Sequence, residues 1–217
     1  MSAAGISRRQ WMGLGALVLG GLSLSRYLRQ ERPLGRDVSE LVDVPALLNA
    51  PGYPEEVVGR PAISMLVFSD YACGVCRRVE PWWRKAVRNA GDVRVVHRDW
   101  PILGAPSLRA ARLALAAAKQ ARYLPVHDAL MRSPGLDETA LQSAVAEAGA
   151  DWALLIRDLR SAAAGIDAKL ARTAQDALRL GFSGTPGYLI GSIRIEGGAS
   201  ERQFAEAIER ARESGRS

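Results

Sequence analysis

Two short runs stand out along the chain, the largely apolar ISMLVF at 63–68 and the valine-rich VRVVH at 93–97. Pro61 and Ser69-Asp70 bound the first, and the turn pair Gly91-Asp92 precedes the second. Runs of this length, rich in β-formers and fenced by turn residues, predict buried strands. Between them, residues 74–89 read as a helix that opens at a pair of cysteines. From Ser107 to Leu180 the pattern is Ala-rich and helical in period. Ser107 is the expected cap of LRAARLALAAAKQA, Pro134-Gly135 breaks the pattern, and Asp137 caps ETALQSAVAEA. Gly149 stops that helix, Asp151 restarts the pattern, and a last helix at about 162–180 is expected to end at Gly181, the usual left-handed cap residue. YLI at 188–190 and IRI at 193–195 flank Gly191-Ser192, a hairpin turn signal. SERQFAEAIERAR, with Ser200 as its cap, closes the chain as an amphipathic helix. Residues 33–61 are rich in turn formers and predict a lead-in with at most one short helix around Glu40 to Asn49. The order of strand, helix, strand, helical block, hairpin and helix predicts an α/β domain with a helical insertion at about 107–180.

Charge changes the picture only at the beginning. The 217 residues are 48% hydrophobic and 24% charged, ordinary globular values with room for one good core. The net charge of +6 suggests nucleic acid, but residues 1–32 hold five arginines against Glu31, which leaves 24 basic and 22 acidic residues elsewhere. No basic stripe with interleaved aromatics remains, so nucleic-acid binding is not expected. Ser7-Arg8-Arg9-Gln10-Trp11-Met12 leads into an apolar run that ends at Ser25, shorter than the roughly 20 residues of a spanning helix. A basic start and a short apolar stretch predict an export signal over 1–32. The arginine pair resembles a twin-arginine signal; a general secretory signal, an uncleaved membrane anchor and a buried N-terminal helix are the alternatives. No A-x-A cleavage site is visible. Export to the periplasm would place the cysteines in an oxidising compartment, where a disulfide persists.

Cys73 and Cys76 are the only cysteines. As a staple they would close a loop of four residues and stabilise by roughly 2 kcal/mol, less than longer loops achieve. As a metal clip they would need two further ligands, and the chain offers only His97 and His127, with no second paired motif. As a reactive pair they fit the local pattern better. Residues three apart on a helix share a face, with Cβ atoms about 5–6 Å apart. Cys73 at the helix start meets unpaired N–H groups and the positive dipole end, which favour the attacking thiolate. Cys76, one turn in, is expected to be the less exposed, resolving sulfur.

CGVC followed by Arg77, with Pro81 five positions after Cys76, resembles the active-site helix of the thioredoxin superfamily. Phe68-Ser69-Asp70-Tyr71, the stretch Asp99-Trp100-Pro101-Ile102-Leu103-Gly104, and a helical block before Gly184-Thr185-Pro186 resemble exported DsbA-like proteins. The resemblance covers 62–213 and implies a thioredoxin-like fold, the helical insertion lying between the second strand and a cis-proline hairpin. It implies Cys73 and Cys76 as catalytic residues, with Gly74 and Val75 tuning them. Pro186 would be the cis proline packed against the pair, and Thr185 would offer its backbone to an extended substrate. The expected activity is thiol–disulfide exchange with cysteine-containing exported proteins, as a disulfide donor reoxidised by a quinone-linked membrane partner, without cofactor or metal. A periplasmic reductase with the same site is one alternative, and a redox-silent chaperone or binding module is another. The 29 residues between Arg32 and Ala62 leave little room for a dimerisation domain, so a monomer is expected.

Several residues carry weaker expectations. Val75 stands where the strongest oxidants of the family have His, which implies a less extreme oxidant. The helix dipole alone lowers the Cys73 pKa by at most roughly 1.5 units, and Arg77 and Arg78 would add to this if they turn back toward the sulfur. Asp70 is expected to cap the active-site turn rather than relay protons. His97 and His127 are expected to be structural or solvated, Trp82, Trp83 and Trp100 core or groove wall, and Tyr71 part of the substrate surface.

Overall fold

The protein is described by a computed structural model covering residues 34–215; the expected export signal lies outside the described residues. Residues 35–215 form a six-stranded mixed sheet covered by helices. In chain order the elements are β1 (Arg36–Asp37), α1 (Val44–Leu48), β2 (Glu55–Val57), β3 (Ile63–Ser69), α2 (Gly74–Ala90) and β4 (Val93–Asp99). Then come α3 (Ala105–Ala117), a 3-10 turn, α4 (Tyr123–Arg132), α5 (Glu138–Glu147), α6 (Trp152–Arg179), β5 (Gly187–Ile190), β6 (Ile193–Glu196) and α7 (Glu201–Ser214). The strand order is β1-β6-β5-β3-β4-β2, with β3 and β4 parallel and every other neighbouring pair antiparallel. This is the thioredoxin-like fold with the expected helical insertion between β4 and β5.

The two apolar runs form the centre of the sheet because both of their faces are covered. Leu66, Phe68, Val96 and Leu189 face a cluster with Val44 and Leu47 of α1, Ala177 of α6, and Phe182. The alternate residues of β3 point to the opposite face, where α2 packs beside α7. Tyr188 meets Phe204 of α7 there, edge to face at 4.8 Å. The hairpin turns at Gly191, whose φ of +53° is readily adopted by glycine.

Three expectations need correction. Segment 34–61 is more than a lead-in, because β1 and β2 form both edges of the sheet. The helix expected from 162 is the second half of α6, 28 residues that run unbroken from the Asp151 cap. Ser107 does not cap α3, which begins two residues earlier after Gly104; Ser107 lies buried in its first turn and donates to Asp70. The caps expected at Asp137, Asp151 and Ser200 form, Ser200 within a full capping box with Gln203.

Candidate functional site

β3 ends at Ser69 and hands the chain to Asp70, whose carboxylate gathers three segments. Its Oδ1 accepts from the Ala72 N–H at 2.8 Å and from the Ser107 hydroxyl. Its Oδ2 accepts from the N–H groups of Ile102 at 2.8 Å and Leu103 at 2.9 Å. The Asp70 carbonyl accepts from the Cys73 N–H at 3.0 Å. These donors occupy the carboxylate, so Asp70 caps the turn and fixes the 102–107 loop beside it.

The turn sets Cys73 as the N-cap of α2, with φ −77° and ψ 109°. Its Sγ takes the position normally held by a serine or aspartate oxygen and accepts from the Cys76 N–H at 3.1 Å. The register of β3 with β5 pairs Phe68 with Gly187, which brings the Thr185-Pro186 loop to the same end of the sheet. The Cys73 thiol donates to the Thr185 carbonyl at 3.4 Å, across 112 residues of sequence. The Thr185-Pro186 bond is cis, and the Pro186 carbonyl accepts from the Gly197 N–H at 2.8 Å. Gly187 must be glycine here, since a Cβ would stand 2.9 Å from the Phe182 ring.

Both cysteines are free thiols in this structure, and Cys73 is 6% exposed against 2% for Cys76. Cys73 is therefore the more accessible of the two, but both are buried, so the expected solvent contact of Cys73 is limited to this small exposed fraction. Both pack against the core of the insertion, as does half-buried Val75. Gly74 is exposed.

Hydrogen bonding dominates the electrostatics of the pair. The Cys73 pKa falls from 9.0 to about 5, first through the hydrogen bond from the Cys76 side chain. The Thr185 side chain and the N–H groups of Cys76 and Val75 lower it further, while burial opposes them. Cys76 moves far upward, mainly by burial and then by sharing its proton with the Cys73 sulfur. The drop at Cys73 exceeds what a helix dipole supplies, so a histidine at position 75 is not needed to form a thiolate.

Thiolate absorbance of the reduced protein should therefore rise near pH 5, with the second sulfur still protonated at pH 9. The linkage has a definite sign. Between about pH 5 and 9 the unfolded chain holds a proton at Cys73 that the folded chain has lost. The reduced protein should thus gain stability from pH 5 towards 9 and lose that contribution as pH falls through 5. A single sulfur titrating near 9 would contradict this geometry.

Beneath the pair lies a buried polar cluster that sequence reasoning missed. The Tyr71 hydroxyl is 2.9 Å from His127 Nδ1, and His127 Nε2 is 3.3 Å from Glu80 Oε1. Tyr71 is thus buried and does not line the surface. His97 sits 4.7 Å from the His127 ring, with its Nε2 3.3 Å from Glu56. Arg84 joins the acids, 2.6 Å from Glu80, 2.9 Å from Glu56 and 2.8 Å from Asp128. Burial alone would raise Glu80, but His127 and Arg84 hold it down at about 2. Burial drops His97 to about 4, so it is neutral at pH 7. Burial raises Asp99 to about 6 despite the hydroxyl of Tyr123. Glu80, His127 and Asp128 place ligand atoms within 4.8 Å of one another, but the Arg84 guanidinium already supplies the cation there.

The remaining arginines and tryptophans separate. Arg77 turns away from the sulfur, its Nε donating to the Tyr71 carbonyl at 2.7 Å and its terminal nitrogen to the Ser133 carbonyl. Trp83 and Trp100 are buried, whereas Trp82 is exposed. Glu80 had a visible signal in the sequence: it lies one helical turn after Cys76, on the apolar face that also carries Val79 and Trp83.

A family model described as a DSBA-like thioredoxin domain matches residues 65–209. A thioredoxin-like oxidoreductase from Silicibacter pomeroyi is 35% identical with a TM-score of 0.75, over 79% of this chain and 99% of that one. A periplasmic thioredoxin-like protein from Salmonella enterica serovar Typhimurium is 24% identical, with a TM-score of 0.68 over 78% of this chain and 96% of its own. A thiol-disulfide exchange protein from Wolbachia pipientis is 23% identical, with a TM-score of 0.72 over 80% and 92% of the two chains. No curated protein matches the chain. With two thirds of its length matched, and with a cysteine pair at a helix mouth facing a cis proline, the chain belongs to the DsbA-like thioredoxin family of thiol–disulfide oxidoreductases.

Proposed function

We propose that Cys73 and Cys76 are the catalytic pair of an exported disulfide donor acting on cysteine-containing polypeptides. A substrate thiolate attacks the Cys73 sulfur of the oxidised pair; the bond between the cysteines breaks, and the Cys76 sulfur leaves and takes a proton. A second substrate thiolate then attacks its own sulfur in the mixed disulfide and expels the Cys73 thiolate. The substrate is oxidised from dithiol to disulfide with release of two protons, and the pair is reduced. A quinone-linked membrane partner restores the disulfide.

The single observation that carries the donor direction is the hydrogen-bonded Cys73 sulfur, whose pKa of about 5 makes it a good leaving group. A thiolate stabilised in the reduced form makes the oxidised form the stronger oxidant. Thr185 supports substrate binding, because its carbonyl faces Cys73 and would accept an N–H from an extended segment added alongside. Ile102 and Leu103, 43% and 51% exposed beside the turn, offer that segment apolar contact. The basic, apolar start of the chain supports export to the periplasm, as does the likeness to a Salmonella protein described as periplasmic. Among the described residues no helix is long and apolar enough to cross a membrane.

The test is a Cys76→Ala chain expressed with its own first 32 residues and analysed on non-reducing gels. Without the resolving sulfur, Cys73 should accumulate reducible adducts that vanish in the Cys73→Ser/Cys76→Ala double variant. Mass spectrometry identifies the substrates, and the redox state of wild-type Cys73 in the cell separates a donor, held oxidised, from a reductase, held reduced. Absence of adducts would favour a redox-silent binding module.

A further inference from the structure

Helix α2 carries four arginines and a lysine against one acid, Glu80. Arg84 is matched to three carboxylates, and Lys85 pairs with Glu201 at 3.0 Å. Arg77 is spent on two backbone carbonyls. Arg78 is different. It is exposed, and its guanidinium has no carboxylate partner among the described residues. It folds back along the helix, with Nη1 3.5 Å from where a Cβ on Gly74 would stand, next to the reacting cysteine.

The helix itself gains nothing from this placement. Arg78 is the fifth residue of α2, close to the positive end of the dipole, where a cation is unfavourable and where no acid lies in the first turn. Nor is its charge spent on the sulfur, because the leading causes that depress Cys73 are Cys76, Thr185 and backbone N–H groups. One turn further, on the same helix face, Trp82 exposes 47% of its surface. The exposed residues Ile102 and Leu103, held to the turn by Asp70, are uncharged. The exposed residues next to the turn are thus a cation without a carboxylate partner and the uncharged Ile102 and Leu103, and one helical turn beyond the cation lies an exposed aromatic ring.

We propose that Arg78 and Trp82 form a docking ridge for the substrate polypeptide and select cysteines that have acidic residues close by in the same segment. The occupant is the segment that carries the reacting thiol, so this inference rests on the catalytic assignment above. Its carboxylate would supply the partner Arg78 lacks, while neighbouring apolar atoms cover the Trp82 ring. Gly74, without a side chain, leaves the approach between Arg78 and Cys73 open.

The experiment uses the oxidised full chain and three single-cysteine peptides, identical except that the residues flanking cysteine are aspartate, asparagine or lysine. The rate of attack on the 73–76 disulfide is followed by stopped flow, each rate being divided by that peptide's rate with uncharged hydroxyethyl disulfide. This division removes differences in peptide thiol pKa. At low ionic strength the aspartate peptide should be about tenfold faster than the lysine peptide, with asparagine between, and about 0.5 M salt should compress the spread. Arg78→Glu should reverse the order, and Arg88→Glu, three turns along the helix, should keep it. A shifted Cys73 pKa would act on all three peptides alike and could not reverse their order. Equal rates, or an unchanged order in Arg78→Glu, would overturn the ridge. Reversal by Arg88→Glu as well would reduce it to overall charge and overturn the local assignment. No attack by any peptide would remove the catalytic assignment, and the ridge with it.

Discussion

Replacing Cys73 by serine should cut disulfide exchange by about 10⁴-fold or more while the fold survives, because the two roles of this residue are separable. In its proposed redox role it is irreplaceable: a hydroxyl forms no disulfide, and loss of a covalent nucleophile removes most of the catalysis of its group. As a helix cap it is readily replaced, since a serine oxygen is a preferred acceptor for the N–H that Sγ now holds at 3.1 Å. Comparison with the reduced wild-type protein gives the result a second axis. Thermal midpoints should nearly coincide below about pH 5, where Cys73 is protonated, and diverge as pH rises and only the wild type gains thiolate stabilisation. Exchange retained by Cys73→Ser would transfer the nucleophile to Cys76, which its 2% exposure makes implausible.

The second large effect lies at Arg84. Its guanidinium is the only arginine or lysine head group bonded to Glu80 among the described residues, and Glu80 is 6% exposed. Breaking a buried ion pair by deleting one partner leaves an uncompensated charge and typically costs about 3–5 kcal/mol. Arg84→Met, which keeps the apolar stem, should therefore destabilise the oxidised protein by roughly that amount at pH 7 in denaturant unfolding. The pH dependence fixes the cause. In the wild type Glu80 stays ionised down to about pH 2, so its contribution is lost only as pH falls through that value. In the variant the carboxyl, still beside His127, protonates above that value, which relieves part of the penalty, and the difference from wild type should narrow as pH falls towards it. A loss under about 1 kcal/mol at pH 7 would mean that His127 balances Glu80 unaided.

What the sequence disclosed and what it withheld follow from where the information resides. β3 and the first part of β4 were legible because strands covered on both faces are rich in apolar β-formers, and no turn residue interrupts them; the buried His97, Arg98 and Asp99 that end β4 did not follow that rule. The caps at Asp137, Asp151 and Ser200 were legible because a cap is a local bond between residues three apart. β1 and β2 were not, since two or three mostly charged residues show no apolar pattern, and the backbone and side-chain bonds that hold them at the edges come from distant segments. The unbroken course of α6 was hidden because Ala-rich sequence with an exposed Gly165 reads equally well as one helix or two. At the site, Cys73, Cys76 and Pro186 announced themselves by spacing and order. The polar cluster beneath them did not, because its charge balance is struck among Glu56, Glu80 and Asp128, three segments that only the fold unites.

The Asp70 carboxylate carries a lesson for protein engineering. It binds the cysteine turn and the 102–107 loop with the same two oxygens, so neither piece is a free-standing cassette. Transplanting CGVC alone into a foreign scaffold would export the sulfurs without the clasp that aims them, and the smallest portable version of this chemistry includes both strand ends.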